Sequence, residues 1–151
     1  MTAQDWLRVR VGAFRFALEA EAVRDVFTIR DITPTPRAPR EVMGVLNLRG
    51  RIVTVICARR VLGLEDVPDC DGGRAVSFEI DGDLYGLRVD AADDVTVIDP
   101  ATVLSPPASA DRWAGVVHGL VRVDGDLVLL ARPRAFVFPP AQGAVSEAPA
   151  P

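Results

Sequence analysis

Two stretches of the chain repeat one pattern at a constant spacing, and this repeat limits the possible folds most strongly. Phe16 aligns with Tyr85, 69 residues further along, and the same spacing holds without a gap from Leu7 to Ile29. The other matched pairs are Val9 with Phe78, Val11 with Ile80, Leu18 with Leu87, Asp25 with Asp94, Val26 with Val95 and Ile29 with Ile98. A gap-free match of this length predicts two structurally related units.

Each unit begins with a pattern typical of a β-hairpin. Apolar residues alternate with other residues over 7–18 on both sides of Gly12, and again over 76–89 on both sides of Asp81-Gly82. Period-two alternation around a glycine-containing turn predicts antiparallel strands with one buried face. Later in each unit the match is looser, since Gly50-Arg51-Ile52-Val53 resembles Gly125-Asp126-Leu127-Val128.

Short strands with regular turns and little helix favour closed sheets, because an open sheet would expose its edges. We therefore predict an all-β, mainly antiparallel protein built as two small β-barrels with short helices. The predicted domain spans residues 1–138, with one unit at about 7–66 and the other at about 75–138. Residues 139–151 are rich in Pro and Ala and are predicted to form a disordered tail.

The segment from Gly44 to Ile56 places two apolar, strand-like runs around an Arg-Gly-Arg turn. The run from Ile52 to Ile56 is short and rich in β-branched residues, which favours a buried strand. The turn presents Arg49 and Arg51 at the edge of an apolar sheet. Two interpretations stay open, a surface hairpin with solvated arginines and a recognition site.

Composition excludes several classes of protein. The chain has 151 residues and is 49% hydrophobic, which excludes a disordered chain. No apolar run approaches the ~20 residues of a membrane helix, and the N-terminus lacks a signal-peptide layout. Two cysteines, Cys57 and Cys70, do not make a disulfide framework, so we expect a cytoplasmic protein. The net charge of −4 gives no general attraction to nucleic acid or anionic lipid.

The motifs of common active sites are missing from the sequence. The only histidine, His118, lies in an apolar run and is interpreted as a partly buried polar residue. No serine sits in a Gly-x-Ser-x-Gly elbow, no glycine-rich loop matches a phosphate site, and no Cys/His cluster has zinc spacing. Asp81, Asp83 and Asp90 are interpreted as turn and surface residues. We expect neither catalysis nor a cofactor or metal.

The segment 44–56, with its Asn-Leu-Arg-Gly turn and the Leu62-Gly63-Leu64 that follows, resembles the signature of the CheW family of bacterial chemotaxis coupling proteins. The segments 16–26 and 85–95 resemble the flanking parts of that family, so the likeness covers about residues 7–138. The resemblance implies two five-stranded SH3-like barrels and a non-catalytic adaptor. Such adaptors join a chemotaxis histidine kinase, through its CheW-like regulatory domain, to the cytoplasmic tip of a methyl-accepting chemoreceptor.

The resemblance also implies two sets of contact residues. The positions that match a receptor-binding groove are Val23, Asp25, Gly44, Asn47, Arg49 and Gly50. The positions that match a kinase-binding strand are Ile52, Val53, Thr54, Val55 and Ile56. For Arg49 a structural role, bracing its own hairpin, stays open beside recognition.

The chain departs from the family pattern at a few positions, which we expect near barrel edges and the kinase surface. Thr54 replaces a usual Pro, Cys57-Ala58 replaces Asp-Leu, and Ala131-Arg132 replaces Leu-Asp. A coupling protein of a divergent, chemotaxis-like pathway is therefore an equal possibility. Two other functions stay open: a small nucleic-acid-binding barrel, and a regulatory domain that binds a small molecule between its barrels.

Overall fold

The computed structural model describes residues 3–65, 72–106, 113 and 115–138. Within these residues the chain forms ten strands, two short α-helices and two 3₁₀ turns. The strands are β1 (Gln4–Val11), β2 (Phe14–Glu19), β3 (Val23–Thr28), β4 (Val42–Leu48), β5 (Arg51–Cys57), β6 (Arg74–Ile80), β7 (Asp83–Val89), β8 (Ala91–Ile98), β9 (Val117–Val123) and β10 (Asp126–Ala131). The helices are α1 (Ala58–Val61) and α2 (Pro133–Val137), and the 3₁₀ turns are Ala20–Ala22 and Pro100–Thr102.

The strands form two five-stranded sheets with equivalent topologies. Sheet A has the order β8-β1-β2-β10-β9, and sheet B has the order β3-β6-β7-β5-β4. Replacing each strand of sheet B by its counterpart in the other unit reproduces sheet A. Most neighbouring strands are antiparallel, while β5 with β7 and β10 with β2 are parallel. The predicted all-β fold with two related five-stranded units and short helices is confirmed.

The division of the strands between the sheets differs from the sequence expectation. We expected one barrel in residues 7–66 and another in 75–138. Instead, β1 and β2 join β8, β9 and β10, while β6 and β7 join β3, β4 and β5. The alternation of apolar residues specifies which face of a strand is buried but not which strand lies beside it. Each sheet therefore combines strands from both units.

Three apolar cores hold the fold together. One lies within sheet B around Phe27, Val53 and Val55, and one lies within sheet A around Trp6 and Val128. The largest core joins the two sheets, and its members include Val9, Phe16, Leu18, Phe78, Leu87, Trp113 and Phe136. Since side chains fill the space between the sheets, this region offers no room for a ligand there, which disfavours the predicted alternative of a small-molecule regulatory domain.

Asp90 ties the β1–β2 turn to α1. Its carboxylate accepts hydrogen bonds from the Gly12 N–H at 2.7 Å and from the Arg59 guanidinium at 2.7 and 3.0 Å. The side chain is only 12% exposed, so the expectation of a surface turn residue is wrong for Asp90. Burial alone raises the pKa of the Asp90 carboxyl, but the hydrogen bonds from Arg59 and Gly12 outweigh it and lower the pKa.

No helix among the described residues is long and apolar enough to cross a membrane. Within the same residues, no group of three or more His, Cys, Asp or Glu side chains is placed to hold a metal ion. Cys57 is fully buried, as expected for a small core residue, whereas Cys70 and the predicted tail at 139–151 lie outside the described residues. His118 on β9 is exposed rather than partly buried, with its ring 6.1 Å from that of Trp6.

Candidate partner-binding site

The β4–β5 hairpin ends in a tight turn at Arg49 and Gly50. Both residues have positive φ, 52° and 87°, which is typical of the two-residue turns that match the twist of a hairpin. The Asn47 side-chain oxygen accepts a hydrogen bond from the Gly50 N–H at 2.9 Å. Asn47 and Gly50 therefore shape the turn, and the turn directs the Arg49 side chain away from the sheet into an exposed position.

Arg49 pairs with Asp25 on the opposite edge of the same sheet. The Arg49 guanidinium donates to the Asp25 carboxylate at 2.7 Å, and the two residues belong to the β4–β5 turn and to the edge strand β3. The Arg49 side chain is 68% exposed, so this ion pair contributes only about 0–1 kcal/mol to stability. One guanidinium N–H is used, which leaves other donors of Arg49 available to a partner.

A second charge cluster lies beside this pair. Glu79 on β6 accepts from Arg24 at 2.8 Å and lies 3.6 Å from Arg51. Arg51 also reaches the carbonyl oxygen of Gly82 at 3.4 Å. These residues and the Arg49–Asp25 pair surround a pocket of about 230 Å³, lined by Arg24, Asp25, Leu48, Arg49, Arg51, Ser77 and Leu84. Its shallow, charged wall and small apolar floor suit the side chains of a protein partner.

Gly44 supports the site from inside. Its φ is 150°, and a Cβ atom there would overlap the backbone oxygen of Thr33. Thr33 and Val45 exchange two backbone hydrogen bonds, each 2.8 Å long, which hold the preceding proline-rich loop against β4. Only glycine allows this close approach, so Gly44 has a structural role and lies buried away from the hairpin tip.

The structure brings some of the predicted receptor residues together and separates others. Asp25 and Arg49 touch, and Asn47 and Gly50 form the adjacent turn. Val23 is half buried at the start of β3, pairs with Phe78 and packs on the core between the sheets. Sequence reasoning missed the contributions of Arg24, Glu79, Ser77, Leu48 and Leu84, of which only Glu79 carried a signal, as a charged residue alternating with buried ones on β6.

The predicted kinase-binding strand is an interior strand of sheet B. Val53, Val55 and Ile56 are buried, so their side chains hold the sheet together and do not reach the surface. Thr54 is half buried, whereas Ile52 is 62% exposed. Only Ile52 and part of Thr54 are accessible to a partner along this strand.

The departures from the family pattern lie mostly in the interior. Cys57, Ala58 and Ala131 are fully buried, which differs from our expectation that they lie at barrel edges near a partner surface. Arg132 is exposed in a cleft of about 480 Å³ between β3, the β6–β7 turn and α2. This cleft shares Arg24 with the hairpin pocket and has carboxylates and guanidinium groups on its walls. The departures therefore alter packing more than the hairpin tip.

Two pseudo-equivalent sheets with a charged hairpin pocket define a small β-domain suited to protein partners. The CheW-like domain family model matches residues 5–137, and the chain belongs to this family. The match covers nearly all the described residues, so the resemblance inferred from the Asn-Leu-Arg-Gly turn is confirmed.

Three curated relatives have related sequences along most of the chain. The chemotaxis protein CheW of Rhizobium meliloti is 28% identical over 128 residues, which cover 84% of this chain and 83% of the relative. CheW of Thermotoga maritima is 30% identical over 117 residues, 75% of this chain and 74% of the relative. Protein FrzA of Myxococcus xanthus is 28% identical over 123 residues, 82% and 77% of the two chains.

A solved structure has the same architecture. The scaffolding protein TtCheW of Thermoanaerobacter tengcongensis superposes with a TM-score of 0.78 at 25% identity, over 86% of this chain and 89% of that chain. The agreement in fold and length places the present chain among chemotaxis adaptor and scaffold proteins of the CheW family.

Proposed function

We propose that this protein is a non-catalytic, cytoplasmic adaptor that couples chemoreceptors to a CheA-type histidine kinase in a chemotaxis or chemotaxis-like pathway. Membership of the CheW-like domain family supports the adaptor role, and the names of three relatives refer to chemotaxis or scaffolding. The active partners in this proposal are two proteins, and the chain itself performs no chemistry.

The receptor-binding surface in this proposal is the tip of the β4–β5 hairpin with the adjacent part of β3. The observation that carries it is the exposed Arg49–Asp25 pair beside a pocket with an apolar floor. A chemoreceptor tip is a helical hairpin, and a partner helix can place an apolar side chain over Leu48 and Leu84 while Arg49 donates to a polar group. Val23, Asn47, Gly44 and Gly50 shape this surface from below.

The kinase-binding surface in this proposal is the exposed part of β5. Ile52 supplies the apolar contact and Thr54 a smaller one, while the buried Val53, Val55 and Ile56 keep the strand in place. An exposed apolar residue at a hairpin start is a typical anchor for a protein partner. The two surfaces share one hairpin but use different residues, so they can be tested separately.

The experiment is a pair of titrations with the purified protein. We expect Arg49→Ala to weaken binding of a chemoreceptor-tip fragment about ten- to hundredfold, because a charge-assisted hydrogen bond contributes about 1.5–3 kcal/mol. Binding of the kinase regulatory domain and the melting temperature stay unchanged. Arg30→Ala, an exposed arginine outside the site, is the matched control. Unchanged receptor binding by Arg49→Ala contradicts the site, and a large loss of stability makes Arg49 structural.

A further inference from the structure

The internal repeat assigns an equivalent in sheet A to each surface position of sheet B. The first three strands of each unit repeat at a spacing of 69 residues. The second hairpin repeats at a spacing of 75, because the pairing of Thr54 with Tyr85 in sheet B corresponds to that of Leu129 with Phe16 in sheet A. The β4–β5 hairpin tip therefore has a counterpart at the β9–β10 turn, next to β8.

The two hairpin tips carry opposite charges at equivalent positions. We define the basic tip as Arg24, Arg49 and Arg51 on sheet B, and the acidic tip as Asp93, Asp124 and Asp126 on sheet A. Each arginine of the basic tip corresponds to one aspartate of the acidic tip. The inversion extends to the residue between them, since Glu79 corresponds to Arg10.

The carboxylates of the two tips differ in their own pairing. At the basic tip, Asp25 and Glu79 are already held by arginines. At the acidic tip, Asp93 and Asp124 are exposed and form no ion pair within 4.0 Å among the residues that the structure covers. Asp126 has one long contact, 3.7 Å from Arg15. The acidic tip therefore presents free carboxylates where the basic tip presents guanidinium groups.

Each tip also exposes one apolar side chain at the same position of its hairpin. Ile52 follows Arg51 and is 62% exposed, and Leu127 follows Asp126 and is 50% exposed. Docking of one tip on the other would remove both side chains from water while bringing unlike charges together. Docking of two identical tips would bring like charges together, which opposes that arrangement.

We propose that copies of this chain associate head to tail, with the acidic tip of one copy docked on the basic tip of the next. The occupant of the acidic tip is thus a second copy, because the same chain carries the complementary charges in the same arrangement. Asp83 near the basic tip, and Arg15 and Arg122 near the acidic tip, reduce the net charge of each surface. The association is accordingly weak and is suppressed by salt.

Such a contact is heterologous, so each copy keeps one free tip and association continues into larger assemblies. It also occupies Arg49, the receptor-binding residue of the proposed function. A receptor-tip fragment then competes with self-association. The association itself does not depend on the receptor assignment, so a failed receptor titration leaves it unaffected.

Sedimentation velocity over a range of protein concentrations tests the contact. We expect assemblies at low salt that dissociate at about 0.3 M salt, where the Debye length falls well below 10 Å. Reversal of the acidic tip by Asp124→Arg with Asp126→Arg, or of the basic tip by Arg49→Asp with Arg51→Asp, weakens self-association about tenfold or more. Arg30→Asp, a charge reversal outside both tips, leaves association unchanged.

Mixing the two reversed proteins provides the decisive result, because one retains a normal basic tip and the other a normal acidic tip. The mixture forms complexes that neither protein forms alone. Both turns already accommodate the new residue types, since Arg49 and Asp124 have nearly the same φ, 52° and 50°. If a reversal lowers the melting temperature, the neutral variants Arg51→Gln and Asp126→Asn replace it. A monomeric wild type at low salt, salt-independent association, or no complex in the mixture overturns the proposal.

Discussion

Removal of the Asp90 carboxylate should destabilise the domain strongly, although Asp90 lies outside the proposed binding surfaces. Asp90→Ala leaves the buried Gly12 N–H and most of the Arg59 guanidinium without an acceptor. Removing one partner of a buried ion pair costs about 3–5 kcal/mol, and the partial exposure of Arg59 places the expected loss near 3 kcal/mol. For a domain of this size the melting temperature then falls by about 10 °C.

The assay is thermal denaturation followed by circular dichroism, with Asp90→Asn and Asp5→Ala beside Asp90→Ala. Asp90→Asn keeps an acceptor for Gly12 but loses the charge, so its melting temperature lies between those of the wild type and Asp90→Ala. Asp5 is exposed on β1, and its replacement leaves the melting temperature unchanged. A fall of less than about 2 °C for Asp90→Ala would refute the structural role assigned to this carboxylate.

Three further predictions follow from other contacts. Because the folded-state pKa of Asp90 is lowered, its stabilisation is present above the pKa of the unfolded chain and lost as the pH falls through the folded value; Asp90→Asn therefore flattens the acid limb of a melting-temperature profile, and an unchanged limb contradicts this. Gly44→Ala lowers the free energy of unfolding by at least about 2 kcal/mol in urea denaturation, because its Cβ meets the Thr33 backbone, whereas Gly125→Ala, with open space around it, has a smaller effect. Ile52→Asp leaves folding intact, since the side chain is exposed, but weakens binding of the kinase regulatory domain about tenfold in calorimetric titration; equal binding refutes the kinase surface.

The strands and their equivalence could be predicted from the sequence because they depend on local patterns. The alternation over 7–18 and 76–89 and the spacing of 69 residues identified β1, β2, β6 and β7 and their relation. Strand partners could not be predicted in this way. Whether β3 pairs with β2 or β6 depends on packing between segments about 50 residues apart, and both choices bury the same face of β3.

The candidate site was predictable only in part for the same reason. The turn at Arg49 follows from the Arg-Gly dipeptide and the flanking apolar runs. The contact of Arg49 with Asp25, across two edges of one sheet, depends on the curvature of the whole sheet. Asp90 looked like a turn residue because its chain neighbours are polar, whereas its partners Gly12 and Arg59 lie 78 and 31 positions away.

The exchange of strands between the two sheets has a consequence for the history of the chain. Each sheet contains the first two strands of one unit and the last three of the other. A protein consisting of one unit alone would contain the strands of half a fold, but two identical copies could build both sheets by trading their last three strands. A swapped homodimer of half-length chains thus has the same strand arrangement as this protein. Gene duplication and fusion of such an ancestor would join the two copies covalently, and later substitutions could then give each half its own surface charges.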